Sequence, residues 1–282
     1  MKKAIQIAYN EFFSDKCQYA SESGFRYIAV NYTQINGKTE REWNEITEDI
    51  EKTLDKNGLK CIQSHPHYYH PFLSSENIDD ELEFSMRQAI ISSAKLGAEY
   101  CVFHPRTATS SAYRLSKSLE DNRKWFSSLL ECALKHGTGI AAENLPIFPS
   151  TDQILPLFSS NCEHLSELVD YFNDDRMGVC WDFGHANLVA GDQAVSIRFL
   201  GSRIKCTHVH NNYGHSDDHA PPIYGNIEWR RIMPALADTG YKGPLTLETH
   251  CDYINSDLLR SFAKHNYDSL VYLEALMSGI KE

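Results

Sequence analysis

Six segments of this 282-residue chain close on side chains that bind protons or metals. They read Ile62-Gln63-Ser64-His65, Val102-Phe103-His104-Pro105-Arg106, Ala141-Ala142-Glu143-Asn144, Cys180-Trp181-Asp182-Phe183-Gly184-His185, Thr207-His208-Val209-His210-Asn211-Asn212 and Leu245-Thr246-Leu247-Glu248-Thr249-His250. Each is an apolar run that reaches a His, Asp or Glu. Several carboxylates gathered away from water are costly unless something positive pairs them. Arg106 is the only Arg or Lys in these segments, so the residues themselves do not supply that charge. A divalent cation would. Oxygen and imidazole donors suit Zn²⁺, Mn²⁺, Fe²⁺ or Co²⁺, and the lack of paired cysteines argues against a thiolate zinc site. Taken singly, a strand-end His is a hydrogen-bonded core residue and a Glu a solvated rim charge. Six such ends in succession favour one shared metal site. The later stretch His215-Ser216-Asp217-Asp218-His219-Ala220-Pro221-Pro222 adds Asp217 and His219. They stand two apart and could face one point in extended backbone. Read alone, that stretch is equally a solvated polar loop. Gly225-Asn226-Ile227-Glu228-Trp229 then reads as a lid turn entering a helix.

The elements that must position these residues repeat a simple pattern. Short β-branched or aromatic runs fall at residues 4–10, 25–32, 59–65, 100–106, 139–145, 178–185, 204–211 and 243–250. Amphipathic stretches lie between them, most clearly at 40–56, 79–96, 119–135 and 256–277. Gly24, Gly58, Gly97, Gly137 and Gly240 suit left-handed helix C-caps just before the next run. Strands alternating with helices imply βαβ units and a parallel sheet. Eight such units predict an α/β fold, a (β/α)₈ TIM barrel occupying residues 1–282 as a single domain. There is no GxGxxG after the first strand, which removes the main signature of a dinucleotide fold. In a parallel barrel the strand ends converge on one face, where barrel active sites lie.

Composition narrows the partners. Lys plus Arg number 27 and Asp plus Glu 38, a net charge of −11. That balance repels polyanions and argues against a nucleic-acid or acidic-membrane binder. No run approaches the ~20 apolar residues of a membrane span. The opening Met1-Lys2-Lys3-Ala4-Ile5-Gln6-Ile7 is too soon polar to read as a signal peptide. The eight cysteines form no CxxC pair and read as reduced core residues of a cytoplasmic protein.

With these residues in view, the sequence resembles the xylose isomerase-like barrels along nearly its whole length. That superfamily includes sugar and sugar-phosphate isomerases and epimerases, and abasic-site nucleases of the endonuclease IV type. The epimerase branch implies one divalent metal held by Glu143, Asp182, His208 or His210, and Glu248. It also implies Glu143 and Glu248 as acid and base, with His185 against the substrate. The nuclease branch implies further ligands at His65, His104, His185, Asp217 and His219, with His208 as the seventh-strand ligand. The expected cofactor is therefore one to three ions of Mn, Zn, Co, Fe or Mg. Two departures bear on the nuclease branch: residues 31–38 carry a single basic residue, and an aromatic stretch at 66–72 follows His65.

Two chemistries follow. One is isomerisation or epimerisation of a small sugar, keto-sugar or sugar phosphate, with a dehydratase or lyase as its close variant. The metal would stabilise an enediolate, Glu143 and Glu248 would move the proton, and His65, Arg106, His185 and His210 would contact substrate oxygens or a phosphate. The other is multi-metal (zinc) hydrolysis of phosphate esters. Charge favours the first and ligand count the second. A non-enzymatic metal- or sugar-binding module is disfavoured by so many ionisable groups at one mouth. The expected partner is a small carbohydrate, with no nucleic acid and no membrane.

Overall fold

The alternating runs close into a barrel. A computed structural model of the chain describes residues 1–69, 72–73, 80–108, 114–149, 154–189, 191–249 and 255–279. The barrel strands are β1 (Lys3–Ala8), β2 (Tyr27–Asn31), β3 (Lys60–His65), β4 (Tyr100–Phe103), β5 (Gly139–Glu143), β6 (Met177–Asp182), β7 (Ile204–Val209) and β8 (Leu245–Leu247). Each pairs in parallel with its neighbours in sequence, and β8 closes on β1. The helices are α1 (Phe13–Ser23), α2 (Glu40–Asn57), α3 (Asp80–Lys95), α4 (Arg114–His136), α5 (Cys162–Phe172), α6 (Phe183–Asn187), α7 (Gln193–Leu200), α8 (Trp229–Asp238) and α9 (Ser256–Met277). This is the (β/α)₈ barrel that the alternation predicts.

Helix α2 illustrates how local sequence builds the outer layer. Thr39 and Glu42 form a reciprocal capping box, which satisfies two N-terminal donors. Trp43, Thr47, Ile50 and Leu54 then recur at helical spacing and bury against the barrel. Gly58 stops the helix at φ +63, in the left-handed region where a Cβ is strained. The apolar core lies between strands and helices and includes Ile28, Val30, Phe103, Phe126 and Leu129. Fully burying each such side chain contributes roughly 1.5–3 kcal/mol.

The strand period of two decides the lumen. Val102, Ala141, Cys180 and Cys206 form a separate buried cluster. They stand two residues before His104, Glu143, Asp182 and His208 respectively. A small apolar floor therefore lies directly below a polar ring. In β3 a bulge sets Ile28 against Cys61 but Ala29 against Gln63, and the strand then ends on His65.

Several ends differ from the sequence expectation. Strand β4 stops at Phe103, so His104 and Arg106 lie beyond it. Strand β6 ends at Asp182, whose side chain accepts the His185 N–H at 2.6 Å and starts the helical turn α6. The run at 178–185 is thus a strand followed by a capped turn. Strand β7 ends at Val209 and β8 at Leu247. His250 and Cys251 lie outside the described residues, as do His70 and Pro71 of the aromatic stretch. Cys17, Cys61, Cys101, Cys132, Cys180 and Cys206 are buried free thiols, as expected, but Cys162 is half-buried at the start of α5. No described helix is long and apolar enough to cross a membrane.

Candidate metal centre

The polar ring resolves into three abutting groups of ligand-type side chains. Within each, one ligand atom per residue lies within 4.8 Å of the others. The first is Glu143, Asp182, His208 and Glu248, the second His65, His104 and Glu143, the third His185, His210, Asp217 and His219. Glu143 belongs to two groups. The two histidines of β7's end separate, His208 into the first group and His210 into the third. Arg106 belongs to none.

The first group is carried by strand ends and is buried, with Glu248 2% exposed and the other three 0%. His208 Nδ1 lies 2.8 Å from Glu143 Oε1, 2.8 Å from Glu248 Oε2 and 3.8 Å from Asp182 Oδ2. One ring nitrogen carries one proton. It bonds Glu143, which leaves Glu248 Oε2 with no hydrogen-bond partner among the described residues, and His208 Nε2 has none there either. Burial opposes charging His208, but Glu248 and Glu143 hold its pKa well above the ordinary imidazole value. Against the same burial, His208 and His104 hold Glu143 well below the carboxylate range, and His208 does so for Glu248.

In the second group His65 Nε2 lies 3.2 Å from His104 Nε2 and 3.3 Å from Glu143 Oε2, and His104 Nε2 lies 3.1 Å from the same oxygen. Burial lowers the His104 pKa, which keeps its imidazole neutral. In the third group His185 Nε2 and His219 Nε2 lie 3.1 and 3.2 Å from Asp217 Oδ2. His210 Nε2 lies 3.0 Å from an Asp182 carboxylate oxygen, and its ring stacks on His219 at 4.2 Å. His219 does not reach Asp217 through extended backbone, as its spacing suggests. It sits at φ +45, in the left-handed region that is strained for a non-glycine residue.

Whether these residues fit a cation is decided by what surrounds them. Among the described residues, every ion pair of Glu143, Asp182, Asp217 and Glu248 is to histidine, and no Lys or Arg reaches them. Three histidines are oriented from behind. His65 Nδ1 meets Pro66 O at 2.7 Å, His185 Nδ1 meets Asn144 O at 2.8 Å, and His219 Nδ1 meets Glu248 O at 2.9 Å. A ring N–H donated to a carbonyl fixes the tautomer and turns the Nε2 lone pair inward, as metal-binding histidines do. Among the described residues, His210 Nδ1 and Asp217 Oδ1 are also buried without hydrogen-bond partners. The set fits hard or borderline divalent ions bound through oxygen and imidazole.

Some positioning residues escaped the sequence reading. Asn144 accepts the Asp182 N–H at 2.6 Å and donates to the Asp182 carbonyl at 2.8 Å. Gln6 Nε2 donates to Glu248 Oε1 at 2.6 Å, and Tyr68 Oη donates to the same oxygen at 3.0 Å. Gln6 has a sequence signal, as a polar residue between Ala4 and Ala8 on one strand face. Tyr68, from the aromatic stretch at 66–72, covers the polar ring; its ring centre is 5.0 Å from His65 and 5.3 Å from His104. Gly184 lets His210 approach, since a Cβ there would stand 1.9 Å from His210 Cε1. The expected lid turn leads from Gly225 to Trp229, where α8 begins.

Comparison with known proteins agrees with this architecture. The family model described as xylose isomerase-like TIM barrel matches residues 17–269. An uncharacterized protein of Sinorhizobium fredii is 27% identical over 205 residues, covering 70% of this chain. The chain spans 61% and 55% of the length of two curated relatives that it matches. A solved D-tagatose 3-epimerase-like protein superposes with a TM-score of 0.74 at 20% identity, over 99% of both chains. D-psicose 3-epimerase of Clostridium cellulolyticum, solved with D-tagatose, gives 0.71 at 15% identity, over 98% of this chain and 99% of that one. At these identities the structural likeness is one of fold.

Proposed function

The chain belongs to the xylose isomerase-like TIM barrel family, and on that premise we propose that it is a divalent-metal-dependent isomerase or epimerase of a small sugar, keto-sugar or sugar phosphate. The observation that carries this reading is the facing pair Glu143 and Glu248. Both are buried, both are held ionised, and their oxygens lie within 4.8 Å of each other beside Asp182 and His208. A divalent ion held by these four residues would acidify the C–H beside a carbonyl and stabilise the enediolate. One ionised glutamate takes the proton from carbon; that glutamate, now a carboxylic acid, returns the proton to the same face, or the other glutamate, first protonated from water or a substrate hydroxyl, delivers one to the opposite face. His185, fixed by Asn144, orients a substrate hydroxyl. Tyr68 and the neighbouring histidine rings keep bulk water from the reacting carbon. The structural neighbours, a D-tagatose 3-epimerase-like protein and a D-psicose 3-epimerase, support a ketose as the substrate class. We further propose that the barrel accounts for residues 1–282 and works in a reducing, cytoplasmic compartment, which the buried free thiols support.

The test is incubation of metal-replete protein with a panel of keto-sugars in D₂O. Deuterium beside the carbonyl, or interconversion of the sugars where the proton returns internally, is the expected result. A second reading, a multi-metal phosphoesterase, is favoured by one observation: three ligand groups abut, two of them sharing Glu143. Metal-dependent release of product from a phosphodiester, with neither exchange nor interconversion across the sugar panel, would put the second reading first. The charge of −11 sets duplex DNA aside as substrate. Catalytic cleavage of abasic-site duplex would reverse that.

A further inference from the structure

Arg106 stands two residues past His104, beyond the end of β4. Its backbone is clamped from α4. The N–H donates to Asn122 Oδ1 at 2.8 Å, and the carbonyl accepts from Asn122 Nδ2 at 2.7 Å. Its side chain has no such support. Nε and Nη1 are shut off from solvent, and among the described residues they have no hydrogen-bond partner and no carboxylate pairs with the guanidinium. Asp121, the acidic side chain on α4 whose charge Arg106 feels, accepts from Lys117 Nζ at 2.6 Å. Arg87, Arg203 and Arg260 each meet a carboxylate, at 2.9, 2.6 and 2.9 Å. A guanidinium cannot shed its proton to escape the cost of buried, unmatched N–H groups. The fork is built for planar or tetrahedral oxyanions.

We propose that Arg106 is an anion-recognition residue at the barrel mouth, and that the substrate carries an oxyanion, a carboxylate or a phosphate, which this guanidinium binds. The proposal rests on the reading of the ring as a sugar-processing centre and narrows its substrate to an acidic one. The rest of the molecule sharpens the argument. A chain with 38 acidic and 27 basic residues repels anions at long range, so recognition of one needs a dedicated cation. Arg106 is the only Arg or Lys in the six strand-end segments.

The experiment titrates Mn²⁺-loaded protein with inorganic phosphate and, separately, with acetate. The wild type, Arg106→Gln and Arg106→Lys are compared by calorimetry. The ¹⁵N-labelled wild type, loaded with diamagnetic Mg²⁺ in place of Mn²⁺, is followed at its arginine Nε–H signals. Wild type is expected to bind at least one anion roughly 10- to 100-fold more tightly than Arg106→Gln. Arg106→Lys should fall between, because it keeps the charge and loses the fork. The anion that shows the difference tells phosphate from carboxylate. The Arg106 Nε–H signal, assigned by its loss in Arg106→Lys, should shift on saturation. Equal affinity in wild type and Arg106→Gln, with no Arg106 shift, overturns the proposal and leaves any anion binding to the metal. Mn²⁺ affinity is measured in all three proteins. Mn²⁺ binding that persists while the anion difference is absent sinks only this inference; absence of Mn²⁺ binding in the wild type sinks the metal-enzyme reading instead.

Discussion

The strand-borne group and the loop-borne group use similar side chains on different supports. Glu143, Asp182 and His208 sit on or end barrel strands, and Glu248 directly follows β8's last residue. Their positions are fixed by ladder register: Asp182 stands opposite His208, and His208 opposite Thr246. Asp217 and His219 instead hang from the long connection between β7 and α8. Asp217 keeps 27% of its side chain exposed, and His219 holds a left-handed backbone. Ligands on rigid strands are preorganised and stay so when the site empties. Ligands on a strained loop need the bound group, or an internal ion pair, to hold them. The strand group should therefore bind metal first and most tightly, and the loop group should tune or complete the site.

The largest effect should come from Glu143, which serves both strand-borne groups. Glu143→Gln keeps the volume and removes the charge. It should lower turnover on the order of 10²-fold or more and reduce bound metal measured by elemental analysis. Glu248→Gln should match it in turnover but cost less metal, because it serves one group. A Glu143→Gln protein with full metal content and full activity would break the comparison at its stronger side.

The loop group has its own test. Asp217→Asn should lose metal from that group alone and leave the strand group loaded. Gly184→Ala attacks the same group from below, because the added methyl displaces the His210 ring. Overpacking of this kind costs about 1–3 kcal/mol, readable as a lower thermal midpoint. If Asp217→Asn empties all the metal, the two groups are one cooperative site and the strand group does not hold metal by itself.

Without metal the loop group depends on pH, with a sign that follows from its ion pair. Burial opposes charge on His219, but Asp217's hydrogen bond and the charges of Glu248, Asp217 and Asp182 raise its pKa from 6.5 to about 9. Histidines 185 and 219 hold Asp217 far below its ordinary value. A histidine raised on folding stabilises fully below its unfolded pKa and loses that contribution as pH climbs through the folded value. Metal-stripped protein should therefore lose stability, on the order of 1–3 kcal/mol, between about pH 6.5 and 9. His219→Gln should flatten that segment of the curve, and metal-loaded protein should lack it. An equal slope in His219→Gln would assign the effect elsewhere.

The strand group was more legible in sequence than the loop group for the same physical reason. A period of two places Ala141 under Glu143, Cys180 under Asp182 and Cys206 under His208, so apolar runs with one terminal acid or imidazole already announce a ring. Glycines at 58 and 137, both at positive φ, marked where helices stop. The loop obeys no period. Asp217 and His219 meet because His219 turns left-handed, and nothing in Asp-Asp-His dictates that. The partition of His208 and His210 was equally hidden, since it depends on α6 folding back after Asp182 and on Gly184 leaving room for a ring. Asn144 escaped notice because its role, bracing Asp182 from both backbone sides, is read from hydrogen bonds alone.

The smallest expected effect lies on the cover between the two regions. Tyr68 Oη donates to Glu248 Oε1, the same oxygen that Gln6 holds. Tyr68→Phe removes that donor and keeps the ring over His65 and His104. Glu248 keeps the Gln6 hydrogen bond on Oε1 and the charge of His208 2.8 Å from Oε2, so the carboxylate is not stranded. A hydrogen bond to a charged group contributes roughly 1.5–3 kcal/mol, and the surviving partners should absorb much of it. The expected result is a fall in turnover of about tenfold or less, with metal content unchanged and the alkaline limb of the pH–rate profile kept. Loss of metal in Tyr68→Phe would show that the cover, and not the strands, holds Glu248 in place. The rigidity at Glu248 would then come from Tyr68 and the aromatic stretch after β3, not from the barrel strands.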